Sequence, residues 1–160
     1  MKGHPPIKRH QAMLSFSKDH HSGLLLVWKI KQGLDKSIDT RRVGDYVLFF
    51  YKEELESHFK DEERLLFSKL PHGDVLRKQA ESDHQDISQL FAALGKNIKD
   101  ADLLYEIANK LEQHIRFEER ELFNHLQNIL SQEELEDVAA RPANNSNAPE
   151  EAWKDKFWIK

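Results

Sequence analysis

The chain contains no cysteine, which excludes disulfides, thiolate zinc sites and iron–sulfur clusters held by its own side chains, and leaves only nitrogen and oxygen ligands for any metal. A long apolar run is also missing. The longest aliphatic stretch, Leu24 to Val27, is far too short to span a bilayer, and no apolar segment follows the positively charged opening MKGHPPIKRH. The expectation is a cytoplasmic protein with no membrane contact. A basic stripe is the third absence: 28 acids and 24 bases are mixed along the chain for a net charge of −4, so nothing tracks a phosphate backbone and nucleic acid is not an expected partner. What remains is 160 residues, 39% apolar and 32% charged, enough for one soluble domain of helices with solvated outer faces. Nine histidines are the unusual count.

Apolar residues recur at helical spacing in four segments. The first runs from about His10 to Leu34 (Met13, Phe16, Leu24, Val27, Ile30, Leu34), and the second from about Val43 to Leu70 (Val47, Tyr51, Leu55, Leu65, Leu66), stopping at Pro71-His72-Gly73. The third covers about Asp74 to Ile98 (Leu76, Ala80, Ile87, Phe91, Leu94), and the fourth about Ala101 to Leu130 (Leu104, Ile107, Leu111, Leu122, Ile129). Four long helices with short connections predict an all-α fold, an antiparallel up-down four-helix bundle over residues 10–130. Ser131 with Glu134 three residues on is a capping-box pattern that predicts a short fifth helix over 131–140. Residues 141–160 read as a loose linker, RPANNSNAPE, and an aromatic tail whose Trp153, Phe157 and Trp158 pack back on the bundle or, in the alternative, onto a second copy of the chain.

His20, His58, His84 and His114 all fall on the apolar stripes, one in each helix, and Glu62 and Glu118 follow His58 and His114 by four residues, on the same helix face. The core stripe therefore carries two carboxylates. A buried, unpaired carboxylate costs on the order of several kcal/mol. No Lys or Arg shares the stripe at this level, so divalent cations are the economical compensation. Four histidines and two glutamates exceed one tetrahedral ion and suit two ions, each taking two histidines and sharing carboxylates. An internal repeat supports a two-fold site: HFKDEERLLF (58–67) and HIRFEERELF (114–123) share six of ten positions, and Asp19-His20 matches Asp83-His84. The repeat favours His20 over its neighbour His21, which lies at the stripe edge and is the alternative ligand. Glu63 and Glu119 read as surface acids, His4, His10, His72 and His125 as non-ligands, and Glu54 and Glu81 as acids placed to orient a ligand imidazole.

A histidine in helix 1, His-x-x-x-Glu in helix 2, a histidine in helix 3 and His-x-x-x-Glu in helix 4 resemble the hemerythrin-like, or HHE cation-binding, family over about residues 10 to 130. The resemblance implies a non-haem di-iron centre, two iron ions with an oxo or hydroxo bridge, and a place for a small diatomic partner such as O2 or NO; manganese and zinc suit the same donors. In the oxygen-carrying hemerythrins the third helix has His-x-x-x-His, whereas Ser88 follows His84 by four here. Their helix-4 acid follows its histidine by five, which makes Glu119 the alternative to Glu118; the likeness to Glu62 favours Glu118. The chain is closer to members implicated in iron sensing, nitrosative stress or iron–sulfur repair, although the repair proteins carry a cysteine-bearing segment that has no counterpart here. The resemblance implies a binding or sensing protein. The alternatives are a di-iron oxidase, peroxidase or NO reductase with Tyr51 beside the site, a ferritin-like protein using Glu81-x-x-His84, and a metal-free helical interaction module.

Overall fold

The computed structural model describes residues 11–141 and 152–159, and every regular element among them is helical. A 3-10 turn, Gln11–Met13, leads into α1 (Leu14–Asp35). The second predicted helix is one rod in three parts: α2 (Thr40–Phe50), a π-helical turn (Tyr51–Leu55) and α3 (Glu56–Leu65), followed by the 3-10 turn Phe67–Lys69. After α4 (Val75–Lys96), the fourth is also tripartite: α5 (Ala101–Phe117), a second π-helical turn (Glu118–Leu122) and α6 (Phe123–Ile129). Helix α7 (Gln132–Ala139) closes the series on the predicted capping box of Ser131 and Glu134. Side chains of Asp39, Asp74 and Asp100 accept backbone N–H groups at the starts of α2, α4 and α5, satisfying donors that have no partner inside the helix.

The apolar core falls into two clusters. One gathers Leu26, Ile30, Tyr46, Leu55, Phe59, Ile87, Phe91, Leu111 and Ile115; the other gathers Met13, Phe16, Leu66, Phe67, Ala80, Leu122 and Phe123 with Leu135 and Val138 of α7. Along α1 and α4 the second cluster comes first and the first cluster last, and along the other two rods the order is reversed. In each rod the polar residues of the stripe sit where the clusters change over. Helix α1 packs most extensively on α5, and Gly23 permits the approach, since a Cβ there would come within 2.8 Å of Ile115 Cδ1, next to His114.

Two expectations are corrected. Ile129 is half exposed and Leu130 is buried instead, because the π turn at Glu118–Leu122 takes up an extra residue and rotates the rest of the rod away from a strict 3.6 period. Arg141 does not belong to a loose linker: it is 7% exposed and reaches into the bundle. The remainder of that linker, residues 142–150, lies outside the described residues. In the tail, Phe157 and Trp158 are buried in the first cluster against Tyr46, and Trp153 is partly buried beside Phe49.

Candidate metal centre

Where the two apolar clusters meet, the four rods bring His20, His58, Glu62, His84, His114 and Glu118 together, all buried, with both glutamates at 0% exposure. Two groups of four donors result. His20, His58, Glu62 and Glu118 form one and His84, His114, Glu62 and Glu118 the other, each with its ligand atoms within 4.8 Å of one another. The glutamates belong to both. Glu62 Oε2 lies 3.1 Å from His58 Nε2 and 3.3 Å from His20 Nε2, while its Oε1 lies 3.1 Å from His84 Nε2. Glu118 Oε1 lies 2.9 Å from His20 Nε2 and 3.3 Å from His114 Nε2. Each of the two adjacent groups, with the carboxylates common to both, could hold a metal ion.

The donors also fit cations better than one another. Glu62 Oε2, Glu118 Oε2 and His114 Nε2 are buried and make no hydrogen bond of good geometry, although charged neighbours stand close by. Orphaned buried polar atoms of this kind are costly. Without metal, protons fill the gap. Burial alone would lower the pKa of His20, but hydrogen bonds to Glu118, Glu119 and Glu62 raise it well above the usual value. His114 is likewise held up to about 10 against its burial, chiefly by the charge of Glu118 and a hydrogen bond to Asp83. Burial would raise Glu62, and His58, His20 and His84 instead hold it well below the ordinary carboxylate range.

All four outer imidazole nitrogens donate to carboxylates. Nδ1 of His58 bonds Asp19 at 2.8 Å and Nδ1 of His114 bonds Asp83 at 2.9 Å, while Nδ1 of His20 bonds Glu119 and Nδ1 of His84 bonds Glu63, each at 2.7 Å. Such partners set the tautomer and ring orientation that leave Nε2 free for a metal, and they raise its basicity. Glu63 and Glu119, read from sequence as surface acids, thus have a second task despite partial exposure. The acids proposed to orient ligands do not. Glu81 pairs with Arg77 at 3.2 Å, and Glu54 is buried without a partner for Oε1, its carboxyl pushed up to about 7 by burial and by the charge of Asp19. The orienting aspartates were visible in the sequence as the repeated Asp-His pair, without a role.

The ten-residue repeat serves across the site. Each copy supplies its own histidine and central glutamate, and its second glutamate and closing phenylalanine attend the single histidine of another rod. Glu119 and Phe123 bond and stack on His20, with ring centroids 5.2 Å apart and planes 11° apart; Glu63 bonds His84, and Phe67 lies 5.0 Å from its ring. His21, beside His20, is exposed. His125 bonds the α4 cap Asp74 at 2.7 Å, and Tyr51 stacks on Phe91 with its hydroxyl 3.4 Å from Ser88. A further cation was missed: Arg141 Nη2 donates to Asp19 Oδ2 at 2.7 Å. Lys110 does the same for Asp83 Oδ1 at 3.0 Å, and the contacts with His114 and Lys110 hold Asp83 down at about 2 against its burial.

No helix among the described residues is long and apolar enough to cross a membrane. No curated protein and no solved structure matches the chain. The model of the hemerythrin HHE cation binding domain matches residues 14–126, a span that holds all six converging side chains and both copies of the repeat, and the chain belongs to that family.

Proposed function

We propose that the protein carries two iron ions, one on His20 and His58 and one on His84 and His114, with Glu62 and Glu118 shared, and that it binds or senses a small diatomic ligand, O2 or NO, or iron itself. The observation that carries this reading is the convergence of four Nε2 atoms on two fully buried, shared glutamates. Charge supports it. Six carboxylates contact the four imidazoles, and Arg141 and Lys110 offset two of them, leaving four negative charges that two divalent cations balance. Each ion would have four protein donors, and a six-coordinate iron would retain open positions for a small ligand. Bound iron would supply a redox-active Lewis acid, while the protein orients the donors and keeps the surrounding shell of Phe16, Phe59, Phe67 and Phe123 dry. The alternating order of the two apolar clusters along successive rods supports an antiparallel four-helix arrangement, and the cytoplasm is the setting this reading assigns.

Metal analysis of protein purified from iron-replete cells tests the proposal. Two irons per chain are expected; less than one metal ion per chain, together with unchanged folding of His58→Ala, would sink it in favour of a metal-free module. A di-iron oxidase, peroxidase or NO reductase is the second reading, favoured by the Tyr51 hydroxyl near Ser88, one turn past His84. Mixing the reduced protein with oxygen separates the two: a stable, reversible adduct means binding, and turnover to water or peroxide means catalysis.

A further inference from the structure

The internal repeat places Glu54 and Lys110 at equivalent positions, each four residues before the histidine that opens its copy. Lys110 gives Asp83 its cation from within the repeat. Glu54 cannot do this for Asp19; it is an acid, buried, and unfavourably close to the Asp19 charge. The missing cation arrives from outside the repeated unit. Arg141, the residue after Ala140 at the end of α7, enters with its side chain 2% exposed and donates from Nη2 to Asp19 Oδ2 at 2.7 Å, the same oxygen that accepts His58 Nδ1. Its Nε donates to Asp61 Oδ2 at 3.0 Å and its Nη1 to Ser15 Oγ at 3.2 Å, and the guanidinium lies 4.1 Å from the Phe16 ring centre. The planar, multiply bonded group is thus fixed in orientation as well as charge.

We infer that Arg141 is a positioning residue for the His20–His58 metal position alone: α7 delivers it to Asp19, Asp19 fixes His58, and the other position takes its equivalent support from Lys110. This rests on the two-metal reading above. Partners of a ligand imidazole typically set metal affinity by about 10–100-fold. Acting one residue further out, Arg141 is expected to contribute about 10-fold, at the low end of that range.

Anaerobic titration with ferrous iron against a competing chelator, in two backgrounds, tests the inference. His114→Ala leaves the His20–His58 position and His58→Ala leaves the other. Arg141→Gln is expected to weaken iron about 10-fold in the first background and to leave the second unchanged. Adding Glu54→Lys, which supplies a cation from the position equivalent to Lys110, is expected to restore most of the loss. Equal weakening in both backgrounds, or none in either, would overturn the inference while leaving the two-metal reading intact; absence of iron binding by the unsubstituted protein would overturn both. Should Arg141→Gln unfold the chain, Arg141→Lys provides the same contrast, with a smaller loss confined to the first background expected and an equal loss in both counting against it.

Discussion

Asp19 and Asp83 each precede a site histidine by one residue and each hold the Nδ1 of a different site histidine, yet their surroundings differ. Asp83 keeps its two oxygens for different donors: Oδ2 accepts His114, and Oδ1 accepts Lys110 and Gln79 at 3.0 and 2.9 Å. On Asp19, one oxygen takes both the imidazole and the guanidinium of Arg141, 122 residues away in the chain. The half built from α1 and α3 therefore depends on a helix beyond the repeat, and the half built from α4 and α5 supports itself. Pseudo-symmetry in sequence repeats the histidine and glutamate donors in both halves but not the source of the charge that steadies them.

The largest effect should come from the elements that the halves share. Glu62→Ala is expected to abolish tight binding at both positions, at least roughly 100-fold at each, whereas His58→Ala and His114→Ala should each leave one ion per chain by metal analysis. If Glu62→Ala leaves one ion tightly bound, the glutamate is not shared. Replacing the aspartates should act on one half at a time. Asp19→Asn and Asp83→Asn are each expected to weaken one ion by about 10–100-fold in chelator competition, and equal losses of both ions would show that the halves do not act separately.

Metal-free protein offers a pH comparison of the two halves. In the α4–α5 half, His114 is raised to about 10, so its contribution to stability is complete below about 6.5 and is lost as pH rises through about 10. Asp83, lowered to about 2, contributes fully above about 3.8 and loses its contribution as pH falls toward about 2. Thermal melts across pH should decline at both extremes, and a flat profile from pH 6.5 to 10 would contradict the assignment. The other half holds Glu54, whose carboxyl is raised to about 7; burying it neutral is tolerated below about 4.5 and becomes a penalty as pH rises through about 7. Glu54→Gln should consequently raise the melting temperature at about pH 8 by about 3 °C and change it little at about pH 4.5. A gain of the same size at both pH values would point to packing rather than charge.

Helical periodicity was enough to locate the four rods and to put the six polar side chains on their inner faces, because burial of an apolar stripe is a property of each rod taken singly. Capping chemistry located α7 for the same reason: Ser131 and Glu134 satisfy each other within one turn. The interruptions escaped. The π turns at Tyr51–Leu55 and Glu118–Leu122 leave no distinctive residue pattern, and the second of them exposes Ile129 at a position where a regular helix would bury it. Glu119 illustrates the same difficulty. Its neighbours and spacing describe a solvated acid, yet it meets His20 across 99 residues of chain.

Residue types and their spacing were sufficient to specify an all-helical chain with no thiol chemistry and two histidine–glutamate pairs on buried faces, because these follow from local geometry and from the cost of burying charge. The partners of the imidazoles were settled only when the rods packed. Whether Asp19 receives its cation from position 54, as the repeat would suggest, or from Arg141 depends on which helix ends lie side by side, and no period along a single helix contains that information.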